Sequence, residues 1–334
     1  PVEWLKPECL TLTQSQYGWR AYADGYYFNV ARSLPIISGH GGYDDVVPGY
    51  YAPSLYYEMG RARQFSRDAW YLPGWYHNLT PDRFRMEQYL TFMMGVQGLA
   101  TPPPLHMQMP STVWAAPGVV ESNHLLLKLG PIFNTLKPAT PSEVGFLWSL
   151  SNNLAAQARD MSDNYEGGGH HSSLIYVYLA GKLLKIPFYP VVEEDVLDGL
   201  LSRRHKALII SGVSYLDPRV VTRLESWIRN GGMVLLTGDS TVSIKGAMKL
   251  KAKAIHKHAH QFAGLLEQRN MDELNSLRSM SIEFASARPL AKELASHLHR
   301  AGVQPAFRSE AAEVTGSRHA RGDIEYIFAT NATY

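Results

Sequence analysis

The sequence predicts an α/β protein assembled from parallel strand–helix units, and three observations carry that expectation. Lys206–Ser240 reads as a complete strand–helix–strand unit. Residues 1–137 alternate short apolar runs with helical stretches four times. Pro138-Ala-Thr-Pro-Ser142 is a proline-broken linker between the two series. Within the first of these, Ala207-Leu-Ile-Ile210 is the continuous apolar run that a strand buried on both faces requires. Asp217-Pro218 supplies a cap followed by proline at the first helical position, and Val220, Val221, Leu224, Trp227 and Ile228 recur at helical spacing. Gly231-Gly232 stops that helix before the next apolar run, Met233-Val-Leu-Leu-Thr237. Such a unit is a right-handed crossover between parallel strands, and open sheets of this kind place their sites at the strand C-termini.

The elements follow in order. Cys9-Leu-Thr-Leu-Thr-Gln14 is expected as a strand, with a helix over Asp24–Arg32 behind it. Leu34-Pro-Ile-Ile-Ser38 is the second strand, leading into the loop Gly39-His-Gly-Gly-Tyr-Asp-Asp45 and a helix over Ser54–Gln64. Ala69-Trp-Tyr-Leu72 is the third, ending in Pro73-Gly-Trp-Tyr-His77, and Thr80-Pro81-Asp82 caps a helix through Val96. Gln97–Thr101 is a short fourth strand, and a helix over Val119–Asn134 closes the series. Four such units fit either a doubly wound sheet or half of a (β/α)₈ barrel. His40, Tyr43, Asp44, Asp45, Trp75, Tyr76 and His77 all fall at strand C-terminal ends, which favours the barrel. Beyond the linker, Glu143–Trp148 opens a second α/β series. It continues with a helix over Leu174–Leu184, a strand over Phe188–Val192, the Lys206–Ser240 unit, helices over Lys249–Leu266 and Pro289–Ala301, and β structure from Val314.

Bulk properties narrow the function classes. At 334 residues there is room for two domains. A net charge of +2 gives no support for nucleic-acid binding, and no apolar run is long enough to span a bilayer. The single Cys9 excludes an internal disulfide and a cysteine metal cluster. Neither GxGxxG nor a Walker motif is present, so no cofactor is expected, and no metal. The chain holds 7 Trp, 19 Tyr and 11 Phe, concentrated before residue 115 among Gly, His and Asp. Such rings either stack on sugar faces or fill a core. Pro1 stands where an initiating Met would, and Tyr326–Tyr334 reads as a strand leaving a turn, so an internal piece of a longer protein is expected.

The order of several segments resembles β-galactosidase-type glycoside hydrolases of clan A, especially those with family-42 architecture. The segments are Arg83-Phe-Arg-Met-Glu-Gln-Tyr89 running to Gly95-Val-Gln-Gly-Leu99, then Gly130-Pro-Ile132, Leu136-Lys-Pro138 and Ser142-Glu-Val-Gly145, and finally Val192-Glu-Glu-Asp195 through Asp239. The resemblance implies the second half of a (β/α)₈ TIM barrel over residues 1–137 and a flavodoxin-like, amidotransferase-like doubly wound domain over 138–312. It also implies the start of a β-sandwich over 313–334, a carbohydrate substrate, and a homo-oligomer, a trimer in the family-42 enzymes. It further implies a nucleophilic glutamate at the end of barrel strand seven, a position that falls in Leu72-Pro-Gly-Trp-Tyr-His77, which has no carboxylate.

The catalytic candidates are therefore Asp44, Asp45 and His40, with Tyr43, Trp75, Tyr76 and His77 as substrate-binding candidates. A carboxylate beside His40 and Tyr43 can serve as base, nucleophile or acceptor of a sugar hydroxyl. The alternative is a turn capped by Asp44-Asp45 with His40 packed in a glycine-rich loop. Glu58 and Glu87 sit inside expected helices and suit ion pairing better than catalysis. Glutaminase chemistry needs a cysteine on a strand-to-helix elbow, and Cys9 is in the other half of the chain. Two readings follow: a protein that hydrolyses or binds a β-linked glycoside, and a non-catalytic structural or sugar-binding protein on a degenerate hydrolase fold.

Three weaker signals complete the reading. Glu166-Gly-Gly-Gly-His-His-Ser-Ser173 is expected as a flexible loop. Five lysines and three histidines between Ser240 and Leu266 read as a solvated helix face. Arg321-Gly-Asp323 sits where a hairpin turn is expected.

Overall fold

The computed structural model describes residues 12–15, 36–40, 68–72, 98–99, 120–121, 124–125, 127–132, 137–138, 143–159, 170–258, 260–261, 265, 268, 273, 280–311 and 314–331. The chain divides into two compact units, Pro1–Lys137 with Ala320–Ile324, and Pro138–His319 with Glu325–Tyr334.

In the first unit four strands, β1 (Leu12–Ser15), β2 (Ile36–His40), β3 (Asp68–Leu72) and β4 (Gly98–Leu99), lie side by side in chain order, every neighbouring pair parallel. The second strand begins after Pro35, which has no N–H to give a ladder. At its other end it runs two residues further than the sequence suggests and takes in His40. The helices expected over Asp24–Arg32, Ser54–Gln64 and Thr80–Val96 lie outside the described residues, while helical residues do occur between 120 and 132.

A two-residue strand, β5 (Lys137–Pro138), precedes the second sheet. That sheet contains β6 (Val144–Trp148), β7 (Phe188–Val192), β8 (Ala207–Ile210), β9 (Met233–Leu236) and β10 (Met248–Lys249). Its order across the sheet is β7-β6-β8-β9-β10, all parallel. The helices are α1 (Leu150–Arg159), α2 (His170–Leu184), α3 (Glu193–Leu197), α4 (Leu201–Arg204), α5 (Pro218–Arg229) and α6 (Met280–Arg300). On one face Leu147, Val191, Leu208, Ile210, Val234 and Leu236 pack against Val220, Leu224 and Trp227 of α5. Since side chains alternate along a strand, Phe146, Ile209 and Leu235 face the other way. Helix α2, which touches β6, lies on that side and packs along α6. Each fully buried aliphatic side chain contributes roughly 1.5–3 kcal/mol, so a sheet covered on both faces is the economical use of continuous apolar strands.

Three expectations are corrected. Lys249–Leu266 does not form a helix from its start: β10 occupies Met248–Lys249, and the chain then runs without helix to His258. The backbone there is held by partners distant in sequence, which outweigh local propensity. Lys251 and Ala252 donate N–H to the Glu293 carboxylate at 3.0 and 2.8 Å, Ala254 N–H reaches Asp239 Oδ1 at 3.1 Å, and Gly238 N–H reaches Ala252 O at 2.7 Å. A Cβ on Gly238 would stand 2.5 Å from Lys251 O, so only glycine admits that close approach. Pro289 does not start a helix but lies within α6, where it is exposed while Phe284, Ala287, Leu290, Leu294 and Leu298 continue the buried stripe past it. His170–Ser173 belongs to the first turn of α2 rather than to a loop.

The chain ends in a hairpin of β11 (Val314–Arg321) and β12 (Ile324–Asn331), turning at Gly322-Asp323 with Gly322 at φ +57°. Arg318 pairs with Glu325 across it, and the three-stranded sheet has the order β12-β11-β5.

Candidate functional site

In the first unit the two strands that precede the candidate segments end side by side. The parallel register sets His40, the last residue of β2, opposite Leu72, the last residue of β3. The chain therefore leaves the sheet at neighbouring points on the same C-terminal edge, once toward Tyr43, Asp44 and Asp45 and once toward Trp75, Tyr76 and His77. Those six residues, like Glu58, Glu87 and Cys9, lie outside the described residues. Parallel α/β sheets concentrate their chemistry at this edge because every βα loop opens there.

The corresponding edge of the second sheet is described atom by atom. Its strand order reverses between β6 and β8, the place where open sheets form a crevice. Here the crevice is closed by the protein's own polar side chains. His170, from the first turn of α2, is 3% exposed and spans it. Its Nε2 accepts the Ser149 N–H at 2.8 Å, so the ring proton sits on Nδ1 and is donated to Ser211 O at 2.7 Å. One neutral tautomer satisfies both neighbours. Burial lowers the His170 pKa to about 4, against the hydrogen bond to Ser211 and the charge of Asp239, which both act to raise it. Protonation would also point a second ring N–H at the Ser149 N–H.

Asn152 makes the second bridge. Its Oδ1 accepts from Ser214 N–H at 2.8 Å, Tyr215 N–H at 3.2 Å and Ser214 Oγ at 3.3 Å, so α1 holds the loop that follows β8. Gly212 in that loop has φ +61°, and a Cβ there would meet Ser173 Oγ at 2.7 Å. From the loop after β9, Ser240 Oγ donates to Ile210 O at 3.1 Å and accepts from Val213 N–H at 3.3 Å.

At the N-terminus of α1 the donors converge on a carboxylate. Ser149 Oγ accepts the Asn152 N–H at 3.0 Å, capping the helix, and donates to Glu193 Oε1 at 2.5 Å. The same oxygen takes Ser151 Oγ at 2.6 Å and Ser151 N–H at 3.3 Å. Negative charge is favoured at a helix N-terminus, and Glu193 supplies it internally. Sequence reasoning missed His170, Asn152 and Glu193. The available signal was Ser149 directly after a buried strand, the N-cap position of a helix. Among the described residues no cluster of three or more His, Cys, Asp or Glu is placed to hold a metal ion, and no helix is long and apolar enough to cross a membrane.

The fold is similar to that of solved β-galactosidases. A catalytic mutant of Gan42B, a GH42 β-galactosidase from G. stearothermophilus, matches with a TM-score of 0.62 at 12% identity, over 99% of this chain and 59% of that one. The β-galactosidase from Bacillus circulans sp. alkalophilus matches with a TM-score of 0.62 at 11% identity, over 99% of this chain and 58% of that one. The cold-adapted β-galactosidase from Rahnella sp. R3 gives 0.51 at 13% identity, over 72% and 38%. No family model and no curated protein matches the sequence. The chain thus has a GH42-like α/β fold and spans 59% and 58% of the length of the first two proteins.

Proposed function

We propose that this chain is the later part of a carbohydrate-active protein of the GH42 kind, which binds a β-linked galactoside and hydrolyses it when the rest of its barrel is present. The observation that carries the reading is the fold likeness over 99% of the chain. Under it, β1–β4 are barrel strands five to eight, and their arrangement in chain order supports that assignment. Residues 138–312 are a flavodoxin-like domain, supported by the reversal of strand order between β6 and β8. The terminal hairpin begins a β domain, and the protein works as a homo-oligomer.

In this reading the loops after His40 and Leu72 line the sugar cleft. Trp75 and Tyr76 stack on the sugar, Tyr43 and His77 bind its hydroxyls, and Asp44 or Asp45 is this half's reacting carboxylate, with His40 beside it. A retaining enzyme holds its two carboxyl groups about 5–5.5 Å apart and an inverting one about 6.5–9.5 Å; in this reading the other member belongs to barrel strands one to four. One observation favours a second reading, a sugar-binding protein on a degenerate hydrolase fold: Leu72–His77 contains no carboxylate where barrel strand seven carries its glutamate.

The test is hydrolysis and binding of p-nitrophenyl β-D-galactoside by the full-length protein and its Asp44→Asn and Asp45→Asn variants. Loss of one acid–base carboxylate is expected to slow turnover about 10²–10⁴-fold. Binding without turnover in the parent protein would select the second reading. Absence of both binding and turnover would overturn the proposal.

A further inference from the structure

Asn230-Gly231 is the one Asn-Gly pair in the sequence, and it stands where α5 ends. Both residues are exposed, and the Asn230 side chain makes no hydrogen bond among the described residues. An asparagine side chain carries an electrophilic amide carbon within reach of the next backbone nitrogen. Glycine in that next position has no Cβ to obstruct the approach. The pair is chemically primed, and the fold decides when it reacts.

In the folded chain the two atoms are held apart. Asn230 has φ −92° and ψ 15°, which turns Gly231 N away from the Asn230 side chain. Ring closure needs a large rotation about the Asn230 Cα–C bond. That rotation breaks two hydrogen bonds, Gly231 N–H to Ile228 O and Gly232 N–H to Trp227 O, each 3.0 Å. It also lifts Gly232 from the Trp227 indole, on which it packs so closely that a Cβ would stand 2.3 Å from the ring. These restraints are few and lie at an exposed helix end, where chains fray at low cost.

We propose that Asn230 is a self-modification site, a spontaneous deamidation gated by opening of the α5 cap. Gly231 N attacks Asn230 Cγ and gives up its proton, the Cγ–Nδ2 bond breaks, and the side-chain nitrogen leaves with that proton as ammonia. One water then opens the resulting succinimide. Cleavage between Gly231 N and Cγ leaves aspartate; cleavage between Gly231 N and the Asn230 carbonyl carbon leaves isoaspartate, with a backbone one carbon longer. The net change consumes one water and releases one ammonia, with no change of oxidation state. Either product places a carboxylate at the C-terminus of α5, where the helix dipole disfavours it. Isoaspartate also shifts Gly231 and Gly232 out of register with Ile228 and Trp227. The lesion therefore loosens the link from α5 to β9, a strand with a neighbour on each side.

Peptide mapping by mass spectrometry tests this on the full-length protein held in mildly alkaline buffer, with fragmentation that separates isoaspartate from aspartate. Asn230 is expected to convert about tenfold or more slowly in the folded protein than in the urea-unfolded chain. In sub-denaturing urea its rate should rise in step with hydrogen exchange at the Gly231 N–H. Gly232→Ala crowds Trp227 while keeping the Asn-Gly pair, and should bring the folded rate toward the unfolded one. If that variant does not fold, the urea and exchange series decides alone. Asn230→Gln, aged in parallel, should keep its urea midpoint while the converted parent loses some of its own. Equal rates in folded and unfolded protein would overturn the gate. Faster conversion at another asparagine of the folded protein, or none at Asn230 while exchange reports opening, would overturn the site.

Discussion

The four strands of the first unit follow one another across their sheet in chain order, whereas the sheet of the second unit turns back between β6 and β8. Both obey the rule that loops of consequence gather at strand C-termini, yet the residues found there differ in kind. After β2 and β3 the sequence supplies carboxylates, imidazoles and aromatic rings. After β6 and β8 it supplies serines, an asparagine and a buried histidine that satisfy one another. A crevice in the topology is therefore a place, and the side chains decide whether it receives a ligand or seals itself.

The comparison is broken most directly at His170. Alanine there would leave the Ser149 N–H and Ser211 C=O unpaired and open a cavity, an expected loss of about 4 kcal/mol in urea denaturation at neutral pH. The parent protein should show a pH signature with a definite sign. The folded-state pKa of His170 is lowered to about 4 from 6.5, so between those values the unfolded chain binds the proton that the folded one refuses. Stability should fall as pH drops from about 6.5 to about 4, by on the order of 3 kcal/mol, and level off below. The same slope persisting in His170→Ala would assign the titration to another group.

Glu193→Gln should cost less, about 1–2 kcal/mol, because it keeps the shape while removing the charge at the α1 N-terminus. Asp217→Ala, which removes the N-cap of α5 (Asp217 Oδ1 accepts Arg219 N–H at 2.8 Å), should have a smaller effect still, read as a slight downward shift of the urea midpoint. The contrast sharpens if Asp44→Asn and Asp45→Asn alter galactoside binding while stability stays within about 0.5 kcal/mol. If those two destabilise as His170→Ala does, the first unit's loops are packing elements as well.

How far the sequence spoke for the fold is clearest in Lys206–Ser240, where every local signal agrees. Asp217 caps, Pro218 sits at the first helical turn, Val220, Leu224 and Trp227 are buried, and Gly231 adopts φ +95°. Reading failed where partners far along the chain decide the outcome. No helix is expected from Ser149-Leu-Ser-Asn-Asn, yet α1 starts there, with Glu193 and the loop after β8 taking up its polar groups. His170 looked like a loop histidine after three glycines because its two hydrogen-bond partners lie 21 and 41 residues away. Lysine-rich residues 249–258 favoured a helix, until Glu293 and Asp239 held them extended. The candidate carboxylates were legible only as types: Asp44 and Asp45 could be named from their position after a strand, but not paired with a second carboxylate.

The placement of β6 has a consequence for how this protein is made. It is the earliest strand of its sheet, yet it lies inside it, between β7 and β8. During synthesis Val144-Gly-Phe-Leu-Trp148 leaves the ribosome with neither neighbour yet made, and its first partner, Phe188–Val192, follows only after α1 and α2 have been added. Until then an apolar segment with both edges unpaired is exposed to other nascent chains, the condition under which parallel sheets are slow to form and prone to aggregate. Of the described elements made before that partner, α2 is the one that touches β6 in the finished fold, so the first cover open to the strand is apolar packing on one face rather than a paired edge.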